Sequence, residues 1–166
     1  MLTRKAKYFL SLSAAVPLLF AAACTDNNIF DPRTDAVGTY NLTIFAGNTL
    51  PIDFTVQPCQ NAGCTGSSDD PDLPNGGTLR VTGGTMVLRN DGTFLETNIY
   101  IKTPPGGSSF ESDFISNGTY TVNNSGSVQF SAPAQNGFGP RVFNGTISQD
   151  GRINYTEGQS QYEYRR

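Results

Sequence analysis

The segment from Gly84 to Thr103, GTMVLRNDGTFLETNIYIKT, limits what this chain can fold into more than any other. Two runs rich in β-branched and aromatic residues are joined there by Asn90-Asp91-Gly92. Asp-Gly between such runs marks a tight hairpin, because the turn needs a positive φ that glycine tolerates. The same punctuation returns at Asn123-Asn124-Ser125-Gly126 and at Gln149-Asp150-Gly151. Repeated hairpins make an antiparallel meander, and no sustained helical periodicity competes with it after residue 24. The domain is therefore expected to be all-β.

Alternation assigns the faces. In the first strand Tyr40, Leu42 and Ile44 share one side and Thr39, Asn41 and Thr43 the other. Leu50, Ile52, Phe54 and Val56 share the next apolar face, before a long polar loop from Gln57 to Gly77. Gly83-Gly84 either turns the chain or kinks one long strand. The run Phe94 to Ile101 is ambiguous, because Phe94, Glu96, Asn98 and Tyr100 fall on one side and Leu95, Thr97, Ile99 and Ile101 on the other. A bulge or a polar interior would resolve it. Further strands are expected at Phe110 to Ile115, Gly118 to Val122, Ser127 to Ser131, Arg141 to Ser148, Arg152 to Thr156 and Gln161 to Arg165.

Strands joined in sequence order leave unpaired edges unless the sheet closes, so an antiparallel up-and-down barrel of about 8–10 strands is favoured over a β-sandwich. Gly38-Thr39-Tyr40-x-Leu42 resembles the Gly-x-Trp start of lipocalin-like proteins, with Tyr in place of Trp. The succession DGTF, NGTY and FNGT, ending in Tyr162 and Tyr164, is similar to small bacterial lipocalin-like lipoproteins. The resemblance spans roughly residues 36 to 166. It implies a cup holding a small apolar or amphipathic molecule, and alternation nominates Tyr40, Leu42, Phe54, Leu88, Tyr100, Tyr120 and Phe130 as its lining.

The N-terminus carries an address. Arg4, Lys5 and Lys7 precede an apolar run from Tyr8 to Phe20, too short for a committed membrane span, and then Ala21-Ala22-Ala23-Cys24. Small residues directly before a Cys, followed by polar sequence, resemble the lipobox of bacterial lipoproteins. The resemblance implies that Cys24 becomes the acylated first residue of the mature chain; ordinary cleavage after Ala-x-Ala, leaving a free thiol, is the alternative. Acyl chains would hold a soluble domain at a bilayer surface. By resemblance to the sorting pattern of double-membrane bacteria, Thr25 rather than Asp after the Cys implies the outer membrane over the inner. The expected organisation is a signal peptide over 1–23, a tether over 24–36 and the barrel over 37–166.

Cys59 and Cys64 remain, spaced C-x4-C in the polar loop, and an oxidising compartment would pair them. A two-thiolate metal site is the sharper reading, but zinc usually asks for four ligands and the chain has no His. Without residues 1–23 the chain keeps 8 of its 11 basic residues against 14 acidic ones, a net charge of −6. With no Lys/Arg cluster, nucleic acid is a poor partner.

Catalysis has little to work with. Lacking His, the chain has no Ser/His/Asp or Cys/His nucleophile system. Glu96, Glu111 and Asp113 could supply paired carboxylates, but solvated positions on the outer wall are the favoured reading. Asp69, Asp70 and Asp72 with Asn75 could wrap calcium; a solvated acidic loop is favoured instead. The expectation is a non-enzymatic, membrane-anchored ligand carrier with no cofactor. A structural or protein-interaction module, contacting partners through the Gln57 to Gly77 loop, is the alternative.

Overall fold

The computed structural model describes residues 31–58, 70, 72–135 and 139–166, with Arg33 as backbone only. A helical turn, α1 (Pro32–Asp35), precedes ten strands: β1 (Gly38–Phe45), β2 (Asn48–Thr49), β3 (Ile52–Val56), β4 (Gly77–Leu88), β5 (Thr93–Thr103), β6 (Phe110–Val122), β7 (Ser127–Ala132), β8 (Arg141–Ser148), β9 (Arg152–Glu157) and β10 (Ser160–Arg165). From β4 to β10 each strand pairs antiparallel with the next, and β1 pairs with both β10 and β4. These pairings close an eight-stranded up-and-down barrel. Closure satisfies the edge groups that an open meander would expose.

Long strands replace several of the expected short ones. Gly83-Gly84 does not turn the chain; it sits at a bulge inside β4, between Val81 and Gly83 in the register against β5. At that kink β4 changes partner. Its second half pairs with β1, Gly38↔Leu88 to Asn41↔Thr85, and its first half with β3, Ile52↔Val81 to Val56↔Gly77. Thus β1 and β3 act as one interrupted strand, broken by the β2 excursion. Likewise Phe110 to Val122 is a single strand, because Ser116-Asn117-Gly118 holds register with Glu96, Leu95 and Phe94 throughout. A methyl group on Gly118 would collide with the Ser131 carbonyl and lie 2.9 Å from the Phe94 ring, so glycine there permits the close approach of β7.

A second bulge redirects β1. Leu42 faces Tyr164 and Ile44 faces Glu163, leaving Thr43 as the extra residue. Simple alternation would point Ile44 inward. The bulge sends Phe45 inward instead, where its ring meets Phe54, Tyr100 and Tyr162 at 5.1–6.2 Å.

The hairpin tips at one end are stitched to the following strands in a repeated manner. Gly92, Gly126 and Gly151 all have φ near +80° as their turns require, at 79°, 81° and 75°. Their carbonyls accept hydrogen bonds from the amides of Tyr120, Ile147 and Arg166 at 2.7–3.0 Å. α1 lies at this end. Ala36 is fully buried and its carbonyl accepts from the Tyr40 hydroxyl at 2.6 Å, while the Arg166 guanidinium lies over the Tyr40 ring and donates to the Asp35 and Val37 carbonyls. Residues 32–36, within the stretch read as a tether, therefore pack on the barrel. Cys24, Cys59, Cys64 and the 1–23 segment lie outside the described residues.

Candidate functional site

Strand β5 decides the character of the interior. Its burial alternates so that Phe94, Glu96, Asn98 and Lys102 are buried, with Tyr100 half-buried on the same side, while Leu95, Ile99 and Ile101 lie on the other face. Its pairing with β6 runs without a bulge from Thr93↔Thr119 to Lys102↔Phe110. The ambiguity in the sequence thus resolves as a polar interior. Glu96, read from sequence as a residue of the solvated outer wall, is instead 0% exposed inside the barrel. Glu111 and Asp113 are exposed on the outer wall, as expected.

Charge inside a barrel persists only with partners. Glu96 Oε1 accepts hydrogen bonds from the hydroxyls of Tyr155 at 2.5 Å and Tyr164 at 2.8 Å, and the Tyr164 hydroxyl also lies 3.0 Å from Asn98 Oδ1. Glu96 Oε2 faces Arg141 Nη1 at 3.5 Å. Arg141 is itself held by Glu157, its Nε and Nη2 donating to the two carboxylate oxygens at 2.7 and 2.5 Å. Its guanidinium also lies over the Phe114 and Phe143 rings at 5.3 and 5.1 Å. Oε2 of Glu96 and Nη1 of Arg141 are both buried, and neither makes a hydrogen bond among the described residues.

Tyrosine acidity reports the same environment. Burial, reinforced by the Glu96 charge, holds the Tyr155 and Tyr164 hydroxyls well above the usual tyrosine range, and burial raises Tyr100 strongly too. Burial works against the charged form of Arg141, but its bonds to Glu157 and the Glu96 charge together raise its pKa. At neutral pH the cluster therefore holds a cationic guanidinium and neutral tyrosines. Gly84 makes the cluster possible on the β4 side, because a Cβ there would lie 2.6 Å from Asn98 Oδ1.

The candidate lining divides between two levels. Tyr40, Leu42, Leu88, Tyr120 and Phe130 are buried in the core, with Phe130 stacked on Phe143 at 4.8 Å and meeting Phe94 edge-on at 5.3 Å. Tyr40 and Tyr120 belong to the α1 end, where the Tyr120 hydroxyl donates to the Arg89 carbonyl at 2.8 Å. Phe54 and Tyr100 lie at the other end as half-buried rings around Phe45. Tyr162 joins them and stacks on Tyr155 at 4.7 Å, linking the ring cluster to Glu96. All seven side chains face inward, but they do not converge on one cup.

Near that end Lys102 Nζ binds Asp70 at 2.8 Å and Asp72 at 2.6 Å. Asp70 and Asp72 are thus pinned to a buried lysine, with Leu73 buried beside them, rather than left wholly to solvent, while Asp69 lies outside the described residues. A shallow depression of ≈ 450 Å³ lies elsewhere, bordered by Thr121, Gln129 and Asn144, and holds none of the candidate lining residues.

Sequence reading left the Glu96 and Asn98 face undecided, with a polar interior as one resolution, and missed Arg141 and Phe45 as interior groups. Nothing within β5 could decide for Glu96 and Asn98, because Leu95, Ile99 and Ile101 on the opposite face argue for the reverse orientation. Arg141 had no local signal either, since its role depends on Glu96 and Glu157 arriving from other strands. No family model, curated protein or solved structure matches the chain.

Proposed function

We propose that the protein is a lipid-anchored barrel of the bacterial cell envelope that binds a small apolar or amphipathic ligand, without catalysis. The fold agrees with the lipocalin-like resemblance of the sequence, and the lipobox-like Ala-Ala-Ala-Cys24 supports the anchor. The observation that carries the ligand reading is the association of half-buried rings with buried charge: Phe45, Phe54, Tyr100 and Tyr162 lead to Glu96 and Arg141. Apolar walls with a few placed polar groups are the usual chemistry of a small-molecule site. The anchor would keep that site beside the outer membrane.

Native mass spectrometry of protein purified gently from its own host tests the reading. A reproducible excess mass lost on denaturation is expected, and a bare chain with no affinity for added amphiphiles would overturn it. Replacing Cys24 with Ser tests the anchor, which falls if the membrane-bound fraction is unchanged. A second reading, a non-catalytic interaction module, draws support from the packed rings of Phe94, Phe130, Phe143 and Tyr155, which leave the α1 half of the barrel filled.

A further inference from the structure

Resting on that ligand-binding reading, the geometry points to a specific head group: we propose that Glu96 and Arg141 select a neutral group that both donates and accepts a hydrogen bond, a hydroxyl or primary amide, on an otherwise apolar molecule. Among the described residues, Glu96 Oε2 is an acceptor with no hydrogen-bond donor, and Arg141 Nη1 is a donor with no hydrogen-bond acceptor. They face one another at 3.5 Å, inside the barrel. Every other strong polar bond of the pair is taken: Glu96 Oε1 by Tyr155 and Tyr164, and Arg141 Nε and Nη2 by Glu157. The two atoms offset part of each other's desolvation as an ion pair, but a buried polar atom without a hydrogen bond still carries a cost, so a group that hydrogen-bonds to both at once gains on each side. One hydroxyl does so by donating to Oε2 and accepting from Nη1.

Charge excludes the alternatives. Two carboxylates surround one guanidinium, so the cluster carries one net negative charge, and a carboxylate head would meet Glu96 at short range without a free cation. An ether fits the guanidinium but offers nothing to Oε2. The hydrocarbon part of the ligand would lie toward Tyr162, which stacks on the Glu96-bonded Tyr155, and on toward the half-buried rings of Phe45 and Tyr100.

The test uses the full chain kept in amphipol, with calorimetric titration of octanol, methyl octyl ether and octanoate. Octanol is expected to bind about tenfold or more tightly than the ether, which has similar apolar surface but no donor. Octanoate is expected to bind more weakly than octanol, and to gain selectively in Glu157→Gln, which removes one carboxylate at the half-exposed edge of the cluster. Glu96→Gln should narrow the preference for octanol over the ether. Equal affinity for octanol and the ether would overturn the head-group assignment while leaving ligand carriage standing. Failure of all three probes to bind would overturn both, and leave a trapped water as the bridge between the two atoms.

Discussion

Replacing Arg141 with Met examines the central claim that a charged carboxylate is held inside the barrel. The substitution keeps an unbranched side chain of similar reach, and removes the guanidinium that lies over Phe114 and Phe143 and faces Glu96 at 3.5 Å. Glu96 has no solvent exposure, so nothing replaces the lost charge. Breaking a buried pair from one side costs about 3–5 kcal/mol, most of it the stranded ion rather than the lost attraction. Glu157 loses its bidentate partner as well, but its side chain is 33% exposed and regains water. Glu96→Leu takes the acceptor from two tyrosine hydroxyls, of which Tyr164 keeps Asn98, and should cost about 1–3 kcal/mol. In Glu96→Leu/Arg141→Met no stranded ion remains in this cluster, so the double variant should be at least ~2 kcal/mol more stable than the sum of the single losses implies. Urea unfolding at neutral pH, followed by tyrosine fluorescence and far-ultraviolet circular dichroism, measures all four corners. Strict additivity, or an Arg141→Met variant as stable as the parent, would refute a coupled interior ion pair.

Three further outcomes follow from the same geometry. All six tyrosines after Tyr8 have raised pKa values, chiefly through burial, so the unfolded chain loses protons first on going alkaline; stability should fall as pH rises above about 10, by up to ~1.4 kcal/mol per pH unit for each tyrosine, in denaturant titrations paired with ultraviolet phenolate absorbance. Normal phenolate titration of Tyr155 and Tyr164 in folded protein would contradict their burial against Glu96. Gly118→Ala forces a methyl group into the Ser131 backbone and the Phe94 ring, and should lower stability by about 1–3 kcal/mol in a thermal melt, whereas Gly83→Ala, with open space around its Cβ, should cost less. Lys102→Met strands Asp70 beside the buried Leu73, and hydrogen exchange at the Leu73 and Gly76 amides should accelerate while the β8–β9 amides stay protected.

Much of the fold was legible because the information was local. Asn90-Asp91-Gly92, Asn123 to Gly126 and Gln149 to Gly151 each specify a turn through backbone preferences within a few residues. The strands between them alternate in a pattern that requires no knowledge of partners. Closure was favoured on the same facts over a β-sandwich, since it leaves a meander no unpaired edge. The exceptions were non-local: Thr43 became a bulge because β10 holds Glu163 and Tyr164 in fixed register beside it, and Phe45 rather than Ile44 turned inward as a result.

The sequence by itself determined that this chain is built as an antiparallel barrel with tyrosine-rich strands, and alternation placed Tyr40, Leu42, Phe54, Leu88, Tyr100, Tyr120 and Phe130 on inward faces. What only the tertiary structure decided was the nature of the interior. A carboxylate on β5 is an unremarkable surface residue until Tyr155 on β9, Tyr164 on β10 and Arg141 on β8 are brought around it, from 45 or more positions away along the chain. Hydrogen bonding and charge compensation act over a few ångströms in space with no regard for separation in sequence, so alternation can say which way Glu96 points only after the barrel has said what awaits it there.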